Sequence, residues 1–150
     1  MATTMNNAIS GLVATVTALN LAGVDVYDGP PQQDGASNPD AVFIGFQTGQ
    51  LDAVTFTRDW ATMGAVRSEE HYDVLCELQT FSGDTDIASR RARAFVLLDA
   101  IAAAITTDRT LAGAVRLASI STGNVQPEQT DRGCTVTVPF SVSCVARITT

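Results

Sequence analysis

The chain contains no lysine, because all nine of its basic residues are arginine. A phosphate-binding P-loop, a Schiff-base enzyme and a serine–lysine nucleophile pair each need a lysine ammonium group, so all three are excluded. Histidine is nearly absent too, and the single one, His71, precedes Cys76 by five residues on a predicted strand. This odd spacing puts the two side chains on opposite faces of the strand, where they cannot share a metal ion or form a nucleophile pair.

Cysteine is also scarce, with only Cys76, Cys134 and Cys144 in the chain. Three dispersed cysteines fit neither a disulfide framework nor a four-ligand zinc site, and they predict reduced thiols in the core and folding in a reducing cytoplasm. No serine occupies the G-x-S-x-G turn of an acyl-transfer hydrolase. We therefore expect a protein that is not an enzyme and that binds no metal or other cofactor.

Positive charge is in short supply overall, since the formal net charge is −7. The first 57 residues hold five aspartates and no basic residue, so they carry −5 of this charge. Tight binding to nucleic acid depends on a basic surface, which this composition does not predict. The longest apolar run, residues 94–105, has 12 residues including Asp99, whereas about 20 are needed to cross a bilayer. We expect no contact with a membrane, and no signal peptide is predicted.

The apolar residues predict one α+β domain over residues 1–150, with a mostly antiparallel sheet and two helices packed on one face. The predicted order is helix, four strands, helix, two strands, and the first strands are expected to form a meander. A long loop without periodicity covers residues 28–40. Pro139 predicts an edge position or a bulge for the last strand, because proline cannot donate to the ladder. The predicted helices cover residues 7–19 and 84–106, and the predicted strands cover residues 24–27, 41–46, 53–60, 70–81, 115–125 and 133–148.

Neither predicted helix has a normally charged outer face. Residues 1–24 hold no charge, and residues 95–105 are apolar nearly all round. A helix that is apolar on every side is buried on every side, and one sheet in a chain of this size cannot cover both sides of two helices. We therefore predict that the chain forms an oligomer.

Paired aspartates mark the start of the second helix. Asp84 is predicted to cap this helix, with Asp86 in the first turn, where the helix dipole favours negative charge. The alternative is acid–base catalysis by the pair, which would require burial to shift the pKa of one carboxyl group. Capping is the favoured interpretation, because it explains both residues without catalysis.

An arginine cluster and the long loop are the best candidates for contacts with other proteins. The RRAR segment (90–93) lies near a helix N-terminus, where the helix dipole disfavours cations. Contact with a neighbouring subunit or a partner protein would explain why arginines occur there. The alternative is a solvated cluster that interacts with Asp84 and Asp86. The loop is either a mobile surface segment or one that becomes ordered on contact with a partner. The predicted contact residues are Asp28, Pro30, Pro31, Asp34, Arg90, Arg91 and Arg93.

Four segments of the chain carry a resemblance to a known family. They are VYDGPP from Val26, AVTFTRDWATMGA (53–65), FSGDTDIASRRARAFVLLDAI (81–101) and EQTDRGCTVTVPFSVSCVARI (128–148). In these segments the chain resembles the tail terminator proteins of long-tailed bacteriophages, over nearly its whole length and in the same order of elements.

The resemblance implies a structural virion protein that forms a hexameric ring on the head-proximal end of the tail tube. Such a ring stops tube growth and offers its other face to the connector of the filled head. Its implied partners are copies of itself, the tail tube protein and the head connector or completion protein, and the genomic DNA passes through the ring without specific binding. An acidic ring would let DNA pass without sticking. The implied location is the virion tail, after synthesis in the host cytoplasm.

Other functions remain open at this stage. A head–tail connector or a tail tube subunit would share the composition and the tendency to form rings. A small enzyme with Asp84 or Asp86 as its acid or base represents a different class, although such folds place the long helix before most of their strands. A host-directed accessory protein is a further alternative.

Overall fold

The computed structural model describes residues 3–31, 38–60 and 67–149. Within these ranges the chain forms two helices and seven strands, and five of the six strand pairings are antiparallel. The predicted α+β class and the mostly antiparallel sheet are therefore confirmed. The elements are α1 (Met5–Ala18), β1 (Val24–Asp28), β2 (Asp40–Ile44), β3 (Val54–Trp60), β4 (Arg67–Ser82), α2 (Ile87–Thr107), β5 (Leu117–Gly123), β6 (Gln126–Thr130) and β7 (Gly133–Thr149).

Two long strands form the centre of the sheet. β4 and β7 pair antiparallel along all 16 residues of β4. Each of them carries two short strands, one after the other, on its outer edge: β2 and β3 pair with successive parts of β4, and β5 and β6 with successive parts of β7. The first four strands therefore do not form the predicted meander, because β2 and β3 both pair with β4 and not with each other.

The first two strands are parallel, which accounts for the long loop between them. β1 pairs with β2 from Val24↔Asp40 to Asp28↔Ile44. A parallel pair requires the chain to return along the whole length of the first strand, about 16 Å for five residues. Residues 29–39 make this return, so the length of the loop has a topological reason. Hydrogen bonds hold both of its ends, from Gly29 N to Ile44 O at 2.8 Å and from Asn38 N to Asp25 Oδ2 at 3.1 Å.

Of the two alternatives predicted for the last strand, the edge position is wrong, because β7 is central. Its pairing with β5 does carry an irregularity, on the β5 side between Ile120 and Thr122. Pro139 pairs with Glu77 of β4, and on its other side it faces the junction where β5 ends and β6 begins. The Pro139 carbonyl accepts a hydrogen bond from Asn124 N at 3.0 Å at this junction. The N and C=O of a strand residue point to the same neighbouring strand, so the nitrogen of Pro139 also faces this junction. The missing N–H donor therefore falls where the ladder beside β7 is already interrupted between β5 and β6.

The hydrophobic core lies between the helices and one face of the sheet. Alternate residues of β4 and β7 face the helices, and both helices contribute side chains to the same cluster. α1 passes so close to the segment after α2 that a Cβ added to Gly11 would lie 2.5 Å from the Leu111 carbonyl oxygen. The fully buried helix residues are Ala8, Leu12 and Val16 of α1 and Ala94, Leu97 and Ile101 of α2.

The face of the sheet that carries no helix is only partly exposed to solvent. Glu77 of β4 lies on this face and is only 1% exposed. Thr48 donates to its two carboxylate oxygens from N at 3.1 Å and Oγ1 at 3.0 Å, and Gln79 donates from Nε2 at 2.7 Å. Phe43 stacks on Tyr27 beside it, with ring centroids 5.1 Å apart. The segment between β2 and β3 thus turns back over this face and covers part of it.

Candidate functional site

Helix α2 buries one side and exposes an apolar surface on the other. The buried side packs on β4, β5 and β7, whereas Phe95 and Val96 on the outer side keep 42% and 59% of their surface exposed. A helix on the surface of a folded monomer normally carries charged and polar residues there. The exposed apolar residues agree with the predicted shortage of protein to cover both helices. We call the following exposed residues the α2 outer stripe: Ala88, Arg91, Ala92, Phe95, Val96, Asp99 and Ala103.

The two charged residues of the α2 outer stripe have no ionic partner among the residues that the structure describes. The six ion pairs of the described residues involve neither Arg91 nor Asp99. Both side chains are exposed. Arg91 is therefore the one member of the RRAR cluster that is available to bind a group outside the chain.

The other two arginines of the cluster hold the fold together. Arg93 Nε lies 3.3 Å from Asp40 Oδ2, and Arg90 Nη1 lies 3.9 Å from Asp40 Oδ1. Arg93 Nη2 also donates to the Ala22 carbonyl at 2.6 Å. Asp40 is only 5% exposed, and its Oδ1 accepts a further hydrogen bond from Phe81 N at 3.3 Å.

The alternative partners of the arginine cluster, Asp84 and Asp86, form no ion pair with it in the described residues, although the charge of Arg90 helps to lower the pKa of Asp86. Asp40, a buried carboxylate at the start of β2, binds Arg90 and Arg93 from the side of the sheet. The spacing of these residues in the sequence does not reveal this contact. Their role within the chain explains why they lie near a helix N-terminus despite the dipole.

The start of α2 is capped, two residues later than predicted. The N-cap is Asp86, whose carboxylate accepts hydrogen bonds from Ser89 N at 3.1 Å and Ser89 Oγ at 2.6 Å. These hydrogen bonds lower the pKa of Asp86. Asp84 supports the cap by accepting a hydrogen bond from Asp86 N at 3.0 Å. A carboxylate with a lowered pKa is a poor proton donor or acceptor near neutral pH, so this geometry suits capping and not acid–base chemistry.

The start of α1 is held by a different arrangement, which no local pattern in the sequence predicts. Thr4 is the N-cap but its side chain does not cap the helix. Instead its N and Oγ1 donate to Oε2 of Glu70 in β4, at 3.2 and 3.0 Å, and Arg58 Nη2 of β3 donates to Oε1 at 2.6 Å. Burial raises the pKa of Glu70, but hydrogen bonds from Thr3, Arg58 and Thr4 outweigh burial and lower it overall. A fully buried charge is thus balanced by a cation and by a helix N-terminus.

The loop residues that were predicted to contact partners lie at one edge of the sheet. Asp28 ends β1, and Pro30 and Pro31 follow it with exposed side chains. Asp34, the fourth predicted residue, lies outside the described residues. The structure places this edge and the α2 outer stripe on separate elements and shows no contact between Asp28 and Arg91.

The thiols and the histidine match their predicted positions. All three cysteines are buried and free. Burial raises the pKa of Cys76 to about 12 and that of Cys144 to about 12, so both thiols stay protonated. His71 is exposed on the other face of β4, with Nε2 2.8 Å from Glu69 Oε1.

Within residues 3–31, 38–60 and 67–149, no group of three or more histidine, cysteine, aspartate or glutamate side chains is placed to bind a metal ion. Neither helix in that part of the chain is long and apolar enough to cross a membrane. Comparison of the sequence with models of known protein families found no match, and comparison with curated proteins found none.

Proposed function

We propose that the chain is a structural subunit of a phage virion, which forms a hexameric ring on the head-proximal end of the tail tube. The ring stops tube growth and provides the surface to which the head connector docks. The observation that carries the proposal is the exposed apolar surface of α2, where Phe95 and Val96 lie on a helix whose other side is already buried. Such a surface is typical of a chain that works in contact with another protein.

The resemblance described above supports the choice of a tail terminator among assembly proteins. It covers the segment of β1 with the start of the loop, the β3 region, α2 and β7. These include the exposed residues Asp28, Pro30 and Pro31 at one edge of the sheet and Arg91 on α2. A ring subunit needs surfaces for its neighbours and a surface for the partner that docks on the ring, and these two regions supply candidates.

The uneven distribution of charge along the chain also suits a ring through which DNA passes. Five of the chain's aspartates and none of its arginines lie in the first 57 residues, and the β1 edge with its loop belongs to that acidic part. A ring with this excess of negative charge would repel DNA, which would then pass through the central hole without binding.

The most direct test is electron microscopy of lysates from a parent phage in which this gene is interrupted. Overlong tails without heads, beside filled heads, are the expected result. Tails of normal length that fail to join heads would indicate a connector or completion protein, and the absence of tails would indicate a tube subunit. Infectious particles of normal appearance would contradict a structural role and favour an enzyme or an accessory protein.

Complementation from a plasmid then tests the predicted contact edge. The loop is changed by substitution at Asp28, Pro30 and Pro31, so that its length stays the same. Replacing Asp28 with Ala and both Pro30 and Pro31 with Ser should leave the protein folded but reduce the yield of joined particles. The matched control is Leu51→Ser, a change at a fully exposed site in another loop. Full complementation by the loop variant would remove this edge from the proposed docking surface.

A further inference from the structure

The charges on the α2 outer stripe are arranged symmetrically about Phe95. Arg91 lies four residues before Phe95 and Asp99 lies four residues after it, and all three are exposed. Residues four apart form one continuous ridge on a helix, so the ridge carries a positive end, an aromatic centre and a negative end. A two-fold rotation about an axis through Phe95, perpendicular to the helix, places the positive end where the negative end was. The ridge is therefore complementary to a second copy of itself.

We propose that the free protein forms a two-fold dimer through α2, with the two helices antiparallel and Phe95 at the symmetry axis. Arg91 of each subunit then meets Asp99 of the other, which gives two identical ion pairs. Since Arg91 and Asp99 are eight residues apart on one helix, the two ion pairs lie about 12 Å apart. Packing of such ridges side by side is the commonest mode of helix contact in globular proteins. Ala88 and Ala92 lie on the neighbouring ridge and Ala103 continues the ridge beyond Asp99, and these small side chains leave room for a close approach of the two helices.

This contact supplies a partner for each exposed group of the stripe. The dimer covers the apolar surface of Phe95 and Val96, and it pairs an arginine and an aspartate that have no ionic partner in the described part of the chain. The outer side of α1 offers no such pattern, because its exposed residues Asn6, Asn7, Ser10 and Thr17 carry no charge. The charge pattern therefore selects α2 as the contact.

The dimer goes beyond the proposed ring and does not depend on it. A ring with six-fold symmetry joins two different surfaces of neighbouring subunits, whereas a two-fold contact joins the same surface of both. The α2 dimer is thus a state of the free protein that covers the apolar stripe before assembly. The test below uses purified protein, so its result is independent of the tail phenotype of the interrupted gene.

The test uses charge reversal at the two ends of the ridge. In the dimer, Arg91→Glu places a glutamate against Asp99 of the partner subunit, and Asp99→Arg places two arginines together, at both ends in each case. Analytical ultracentrifugation of each single variant should show dimerisation weakened by at least about tenfold, because like charges that face each other across an interface are destabilising. The double variant R91E/D99R should dimerise as the wild type does.

Mixing the two single variants gives the sharpest result. An R91E subunit and a D99R subunit form opposite-charge pairs at both ends, so a one-to-one mixture should recover the dimer that neither variant forms alone. Recovery shows that Arg91 contacts Asp99 of another subunit, and a recovered species that stays a dimer shows that this contact is two-fold, since a head-to-tail contact would continue to a ring or filament. Arg109→Glu, at an exposed arginine beyond the helix, is the matched control for the change in net charge and should dimerise normally. Circular dichroism checks that every variant is folded.

Three outcomes would overturn the proposal. One is a wild-type protein that stays monomeric up to about 1 mM, where a contact with a millimolar dissociation constant would be half formed. Another is an oligomer that Arg91→Glu leaves unchanged, since the contact would then lie elsewhere. The third is a mixture of the single variants that remains monomeric while the wild type is dimeric.

Discussion

The two helices lie on the same face of the sheet and bury the same kinds of side chain, yet they differ at every other point. α1 exposes small uncharged residues, whereas α2 exposes Phe95 and Val96 with one charge on either side. α1 begins at a carboxylate supplied by a distant strand, Glu70, whereas α2 begins at its own N-cap, Asp86. The comparison shows that two helices of one core can differ in what holds their first turns and in what their outer sides expose.

Both helices should matter equally for the core, and this gives the largest expected effect. Leu12 of α1 and Leu97 of α2 are each 0% exposed. Replacing either with Ala should lower the free energy of unfolding by about 2–5 kcal/mol, because each change leaves a cavity in the same cluster. Urea denaturation measures both values. Val96→Ala, one residue from Leu97 but on the exposed side, should cost only about 0.5 kcal/mol or less.

A much smaller loss of unfolding free energy for Leu12→Ala than for Leu97→Ala would contradict the equal contribution of the two helices to the core. It would mean that α1 rests on the sheet without contributing to the common core. The one-core arrangement predicts similar losses.

The start of α1 should depend on β4, which gives the second effect. Glu70→Gln removes a buried charge that accepts hydrogen bonds from Thr4 and Arg58, so at neutral pH the free energy of unfolding should fall by about 1–3 kcal/mol. The pKa of Glu70 in the folded protein is lowered from the usual 4.5. Its contribution is therefore complete above that usual value and is lost as the pH falls through the lowered pKa of the folded state.

The difference in stability between wild type and Glu70→Gln should accordingly shrink on acidification. Thermal denaturation from neutral pH into the acid range measures this difference. A difference that stays constant with pH would show that the charge of Glu70 does not hold α1. Glu128→Gln, at an exposed glutamate of β6, provides the control and should show no such dependence.

The start of α2 should depend on its own residues, with the smallest effect of the three. Asp86→Ala removes the acceptor for Ser89 N, so the melting temperature should fall by less than it does for Glu70→Gln. Asp86→Asn should restore most of the loss, because an asparagine oxygen also caps a helix. Failure of asparagine to restore stability would show that the charge, and not the cap, is what α2 needs.

The sequence predicted the elements with strong periodicity. β4 and β7 have clean alternation over many residues, and both helices have apolar residues three and four apart, so all four were found near their observed bounds. β6 was missed because all five of its residues are exposed and Pro127 interrupts them, which leaves no alternation to detect. The last strands were therefore counted as two instead of three.

The residues of the candidate site could be predicted only in part. The apolar run of α2 indicated a partner, and Arg91 was named among the contact residues. Asp99 was not, because its significance depends on its distance from Arg91 along one exposed ridge. Arg90 and Arg93 were grouped with Arg91 by their proximity in the chain, but helical geometry turns them toward Asp40, which lies about fifty residues away in the sequence.

The sequence by itself determined the composition of the core, the class of the fold and the exclusion of lysine-based chemistry, because these follow from residue types and local spacing. Only the tertiary structure decided which strands pair, why the loop before β2 is long, and where the buried carboxylates Asp40, Glu70 and Glu77 find their partners. It also decided that Gly11 must be a glycine, since a carbonyl from beyond α2 occupies the space next to it. These features join residues that are far apart in the chain, and local periodicity holds no information about such contacts.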